Sequence, residues 1–136
     1  MKVPFKPLRQ LTLWIPNTGP PHDAGRGHLF IILTNPCPKG YNLLVPICKQ
    51  TKGFDNTCLL GKGDHDFIHY PSFVFYAGLA TYESLVLTRQ VDAETIKYKG
   101  HLDEQLFARI CAGVDQSRFS APKFKAYFAA QTAKPV

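Results

Sequence analysis

Two apolar runs of strand length, residues 29–34 (LFIILT) and 42–48 (NLLVPIC), flank a short link containing Asn35, Pro36, Pro38 and Gly40. Pro and Gly punctuate a chain more strongly than any other residues, so this arrangement predicts an antiparallel hairpin. Upstream, residues 11–15 (LTLWI) alternate and are rich in strand formers, which predicts a first strand. Between that strand and the hairpin lie residues 16–27, with three prolines and three glycines in twelve positions. Neither a helix nor a central strand survives that content, so the segment is a loop. It is long for a small domain, and long loops without structure are often functional.

The rest of the chain is shorter on strand signals. Residues 1–10, with Pro4, Pro7 and three basic side chains, read as an extended lead-in. Residues 57–60 predict a short strand, and residues 61–66 (GKGDHD) a turn or loop. Residues 73–80 predict a further strand, with Gly78 marking a bulge or a close packing contact. Residues 82–89 are expected to continue the sheet after a bend. Beyond residue 92 the pattern becomes helical. Leu102, Leu106, Phe107 and Ile110 share one helical face, closed by Gly113, and Phe124, Tyr127 and Phe128 share a face of a second helix over residues 122–133. The expected class is mainly β with C-terminal helices: five or six antiparallel strands in a small barrel or sheet, then helices.

With 136 residues the chain makes one domain, a barrel over about 8–92 and a helical part over about 101–133. Hydrophobic residues at 45% against 19% charged place it with folded globular proteins rather than disordered ones. Sixteen Lys/Arg against ten Asp/Glu leave a net charge of +6, which favours polyanions or an acidic protein as partners. The basic residues are scattered, so no basic arm is formed. The four cysteines, Cys37, Cys48, Cys58 and Cys111, contain no CxxC pair, which argues against a zinc knuckle or a thioredoxin-like site. Cys48 and Cys111 read as buried thiols among apolar neighbours. The apolar runs are too short to cross a bilayer, and with no leader segment to read, a reduced cytoplasmic protein is expected.

The order of elements, together with residues 25–34 (GRGHLFIILT) and 45–53 (VPICKQTKG), resembles the MazF/PemK-like toxin family. Residues 45–54 followed by residues 58–60 carry the likeness most closely. Residues 75–85 and the helix near 102–114 fall where that family has its later strand and C-terminal helix. The resemblance implies an SH3-like barrel that dimerises, binds an acidic antitoxin and cuts single-stranded RNA without a metal. In many members an Arg opening the second strand and a Thr after Val-Pro-x are catalytic. Here His28 stands at the first of these positions, with Arg26 two residues earlier. Cys48 stands at the second, with Thr51 three residues later. Both departures touch the chemistry rather than the core.

Metal-independent RNA cleavage needs a base for the 2′-hydroxyl proton, an acid for the leaving oxygen and donors for the charged phosphorane. His28 has the ring chemistry for acid or base work, and Arg26 and Lys49 can hold phosphate charge. These three are the catalytic candidates. Thr51, Lys52, His65 and His69 are candidate substrate contacts, the histidines at the edge of the same groove. Asp64, His65, Asp66 and His69 would hold a metal only on a helix; Gly61, Gly63 and Pro71 make the segment a loop, in which Asp64 caps a turn. No metal or cofactor is expected. Phe67, Tyr70, Phe73, Phe75 and Tyr76 lie close together, and exposed rings among them offer stacking surfaces.

These observations predict a toxin-like endoribonuclease acting on single-stranded RNA, with His28 as acid/base. The alternative is a non-catalytic nucleic-acid or protein-binding module on the same barrel. A third reading is an antitoxin-paired toxin that acts on a protein target such as gyrase.

Overall fold

The 29–34 and 42–48 runs pair as the expected antiparallel hairpin, closed by Leu33 N–H to Leu43 O and Cys37 N–H to Tyr41 O. The computed structural model describes residues 3–133. In chain order its elements are β1 (Leu11–Ile15), β2 (His28–Ile32), β3 (Tyr41–Lys49), β4 (Leu59–Leu60), β5 (Ser72–Val74), β6 (Ala80–Glu83), α1 (Ser84–Asp92), β7 (Lys97–His101), α2 (Glu104–Gln116) and α3 (Pro122–Thr132). All pairings are antiparallel, in the order β4-β5-β3-β2-β1-β7, with β6 also on β3. The protein is mainly β with helices gathered toward its C-terminus, as its sequence predicts.

β2 and β3 lack polar alternation because both faces of the hairpin are covered. Leu29, Ile31, Leu43, Val45 and Ile47 pack with Leu106, Phe107, Ile110 and Val114 of α2, and Phe124, Tyr127 and Phe128 of α3 close that side. Phe30, Ile32 and Leu44 face the other way, toward Leu13, Ile15, Leu87 of α1 and Ile96. Each such aliphatic side chain contributes about 1.5–3 kcal/mol when fully buried.

Residues 73–80 do not make one strand. β3 pairs with β6 through residues 41–44 and with β5 through residues 47–49, and the chain between them turns over Pro46. Pro46 O accepts from Phe75 N–H at 2.9 Å, so the proline nitrogen, which has no hydrogen, faces this same edge. A ladder cannot run through it, and a 3-10 turn, Tyr76–Gly78, fills the break. Gly78 is there for close packing, as expected, since a Cβ would stand 2.7 Å from Pro46 Cγ. The turn buries Tyr76 completely and aims its hydroxyl at α2, where it donates to Ile110 O at 2.7 Å.

That contact corrects the reading of Gly113. It does not end the helix, which runs on to Gln116; it sits inside α2 because a Cβ there would collide with the Tyr76 hydroxyl. The helix begins instead at an unforeseen cap, Asp103, whose carboxylate accepts from the Gln105 and Leu106 amides at 3.1 and 3.2 Å.

Four further readings change. Residues 82–89 fold mostly as α1 rather than sheet, because Ser84 is anchored at the hairpin: its amide donates to Gly40 O and its hydroxyl to Asn42 Oδ1 at 2.6 Å. From that start Leu87 reaches the second core cluster at helical spacing. β7 was not foreseen, since residues 97–101 (KYKGH) carry no apolar alternation; it is an edge strand whose lysines suit exposure. With seven strands the sheet exceeds the five or six expected, and residues 57–60 supply only Leu59–Leu60. Cys48 and Cys111 are half-buried, and Cys58 is the buried thiol.

The Tyr76–Gly113 contact makes a stability prediction. Gly113→Ala should cost about 1–3 kcal/mol by overpacking, and Tyr76→Phe about 0.5–1.5 kcal/mol for the lost hydrogen bond. The double variant should cost less than the two together, because the new methyl meets the ring carbons as well as the oxygen of Tyr76 and so already displaces the hydrogen bond that Tyr76→Phe removes. Urea denaturation of the three proteins measures this, and strict additivity would disprove the contact.

Candidate functional site

β1 and β3 end where β2 begins, and the ends of these three strands open a groove of about 430 Å³. Arg26, His28, Cys48 and Lys49 reach it from the strand ends, while Phe67, His69 and Tyr70 reach it from the loop after β4. Trp14, near the end of β1, lines it as well.

The 16–27 loop is held by its own bonds. Thr18 N–H donates to Arg26 O at 2.8 Å, Asp23 N–H to Pro20 O at 2.8 Å and Arg26 N–H to Asp23 O at 3.1 Å. Gly27 lies flat on Trp14; a Cβ would come within 2.6 Å of the indole ring. These contacts set the position from which β2 starts, and therefore His28.

His28 is half-buried, with its Nδ1 2.9 Å from Thr18 Oγ1. The Thr18 hydroxyl has the Ile15 carbonyl at 3.1 Å to donate to. Its lone pair is then free to accept Nδ1–H, which leaves Nε2 bare as a base. Burial first, and the Arg26 charge second, lower the His28 pKa from its ordinary 6.5, so the ring is neutral at pH 7. Cys48, on the neighbouring strand, is pushed up to about 11 by burial despite Arg26. It stays a protonated thiol at neutral pH and is no nucleophile. Lys49 Nζ lies 5.1 Å from the centre of the Tyr70 ring.

His65 and His69 go to different places. His69 is exposed and lines the groove. His65 is half-buried behind the loop wall, among Lys99 and His101 of β7 and the carboxylates of Asp64, Asp66 and Asp103. Its Nδ1 accepts the Phe67 amide at 3.0 Å, so its proton must be on Nε2, which faces Thr12 Oγ1 at 3.4 Å. The Thr12 hydroxyl in turn donates to Gly100 O at 2.8 Å. One tautomer of one ring thus ties the loop to β1 and β7. The turn before it is closed by Asp64, as expected, through Gly61 N–H to Asp64 Oδ2 at 2.7 Å.

Thr51 and Lys52 are not brought to the groove. After Lys49 the chain is pinned by Gln50 N–H to Pro71 O at 3.0 Å, then turns away. Both residues line a separate hollow of about 210 Å³ with Phe75 and Phe119. Asp55 braces that side, accepting from Thr57 and from Ser117 Oγ at 2.7 Å at the end of α2.

Of the sequence candidates, then, Arg26, His28, Lys49 and His69 converge, while Thr51, Lys52 and His65 stand apart. Trp14 and Thr18 escaped notice as site residues, and Cys48, at the resemblance's Thr position, was read as core, because strand position and an apolar neighbourhood describe core and groove wall alike. The aromatics at residues 67–70 and the reading of His69 as a contact at the groove's edge were the signals that pointed to the loop wall.

No known family model matches this sequence, and no curated protein matches it. Its fold does have solved counterparts. It is similar to MazE–MazF (Form II) from Deinococcus radiodurans, with TM-score 0.54 and 11% identity over 82% of this chain and 94% of that one. Form III of the same complex gives 0.56 and 10% over 82% and 95%. MazF from that organism gives 0.55 and 12% over 82% and 96%. The chain therefore has the MazF-like fold; at such identity the likeness carries no residue's role with it.

The His65 tie has a pH dependence. Burial, with His101 adding, lowers its pKa from 6.5 against the opposing pull of the Lys99 carbonyl and Asp66. A histidine lowered in the fold binds protons more readily when released, so the tie is fully present above pH 6.5 and lost as pH falls through the lower folded value. Protonation sets Nδ1–H against the Phe67 amide, and Phe67 packs on Trp14 with ring centres 6.0 Å apart. Emission from Trp14, the chain's one tryptophan, should be flat above pH 6.5 and change below it. The transition should persist in His28→Ala and vanish in His65→Asn; persistence in His65→Asn would refute the assignment.

Proposed function

We propose that this chain is a toxin-like endoribonuclease of a toxin–antitoxin pair, cutting single-stranded RNA in the groove between the strand ends and the 61–71 loop. One observation carries the reading: a half-buried histidine, neutral at pH 7, stands in a groove lined by an arginine, a lysine and a second histidine. His28 takes the proton of a 2′-hydroxyl, whose oxygen bonds to the adjacent phosphorus. The P–O5′ bond breaks, leaving a 2′,3′-cyclic phosphate and a 5′-hydroxyl that receives its proton from His69. Arg26 and Lys49 hold the charge that builds on the phosphoryl oxygens. The groove lining contains no carboxylate, and a hard divalent cation prefers oxygen ligands, so the donor set suits a metal-independent route. Thr51 and Lys52 lie outside this chemistry, and His65 acts by holding the loop.

Two of the structures with this fold are MazE–MazF complexes, which supports an antitoxin-like partner here. A net charge of +6 makes that partner acidic, and a homodimer belongs to the same reading. Light scattering should return twice the chain mass; a monomer at micromolar concentration removes the dimer alone.

The test is cleavage of a mixed single-stranded RNA in EDTA. His28→Ala should cut turnover by about 10²–10⁴-fold, and an unchanged rate takes His28 out of the mechanism. Tight RNA binding with no cleavage by the wild type turns the assignment to the non-catalytic binding module. The pH profile is a further check. The base must be neutral, so the acid limb of kcat/KM should lie below pH 6.5. Arg26→Gln should move that limb upward, since it removes the smaller of the two effects that lower His28. A limb that stays in place assigns the titration to another group.

A further inference from the structure

The loop wall of the groove carries more than His69. Its rings form a connected series: Trp14 to Phe67 with centres 6.0 Å apart, Phe67 to His69 at 6.0 Å, and His69 to Tyr70 at 6.3 Å. Phe67 is 37% exposed and Tyr70 54%. Phe67 packs part of its ring on Trp14 and leaves the rest to solvent. Each of the two exposed rings has a cation at its face, Lys99 Nζ 4.2 Å from the centre of Phe67 and Lys49 Nζ 5.1 Å from that of Tyr70. The loop backbone beneath them is not free to drift, because the Phe67 amide is tied to His65 and the chain after Tyr70 is tied through Pro71 O to Gln50.

We infer that Phe67 and Tyr70 form a two-base stacking platform for single-stranded RNA, with the flexible Lys49 and Lys99 side chains swinging off the ring faces to the flanking phosphates as the bases take their place, and the sugar–phosphate link between the two bases passing His69. Aromatic faces accept any base, and an ammonium group displaced from a ring face by a base stays within reach of that base's phosphate. Stacking needs unpaired bases, so the platform selects single strands over duplex. It is sequence-tolerant on this wall, because a ring face reads no hydrogen-bonding edge. The inference rests on the reading of the groove as an RNA cleft, but it concerns binding rather than cutting, and the two can fail separately.

The experiment uses a short 2′-O-methyl RNA, which lacks the attacking hydroxyl and cannot be cut, beside the same strand with two adjacent abasic positions. Binding is measured by anisotropy and, independently, by quenching of Trp14. The wild type should bind the base-bearing strand more tightly than the abasic one. Phe67→Ala and Tyr70→Ala should each weaken the base-bearing strand by about 5- to 150-fold and leave the abasic strand unchanged. Tyr70→Phe keeps the ring and should bind as the wild type does. Both side chains are exposed, so these variants keep the fold, which circular dichroism verifies. Equal binding of the two strands by the wild type, alanine variants that bind the base-bearing strand normally, or no binding of either strand would each overturn the platform. Binding as expected, with ordinary RNA left uncut, would retain the platform and overturn the ribonuclease.

Discussion

Pro46 is the constraint on which the rest of the fold hangs. It lies in the strand with a partner on each edge, where a missing amide hydrogen would ordinarily be intolerable. The chain resolves this by ending one ladder and beginning another at that residue. The turn that bridges the break carries Tyr76 into the interior, and Tyr76 in turn meets α2 at a position that must be glycine. A local covalent fact about one residue thus determines where α2 docks. The same break lets β5 pair with the last residues of β3, which fixes Lys49 and the loop leading into β5 beside the groove.

The groove owes its electrostatics to its location at strand ends. A sheet interior covers its side chains, whereas its ends leave backbone and side chains half in water. His28 is buried enough to lose its proton at pH 7 and open enough to line a cleft. Arg26 reinforces that state while remaining available to an anion. Cys48 shows the same half-burial acting on a different group: the thiol stays protonated at neutral pH. Behind the facing wall, a second histidine serves structure instead. His65 spends both nitrogens on the protein, which is why only His69 of the pair has a ring open to the groove.

The elements legible in the sequence were those whose pattern had a single physical cause. The β2–β3 hairpin announced itself through two apolar runs and a Pro/Gly link, and α2 through apolar residues three and four apart. Where two causes competed, the reading failed. Residues 82–89 contain strand formers, but Ser84 bonded to Gly40 and Asn42 turns them into a helix. Gly113 looked like a helix end, and only the arrival of Tyr76 from 37 positions away in the chain explains it. β7 has no hydrophobic face of its own to detect, because it is an edge paired to β1 on one side only.

By itself the sequence determined the fold class, the hairpin at its centre, the loop before it and a set of candidate residues by chemical type. Those follow from local propensity and from periodicity, which act over a few neighbouring positions. Which candidates meet was decided by tertiary structure alone. Lys49 and Thr51 are two residues apart, yet one lines the groove and the other faces a different hollow, because β3 ends between them and Gln50 is pinned to Pro71. Trp14, His28 and His69 are far apart in sequence and line one cleft, because β1 pairs with β2 and the 61–71 loop is tied back to β1. Proximity of that kind is set by long-range pairing, which leaves no mark at the positions it joins.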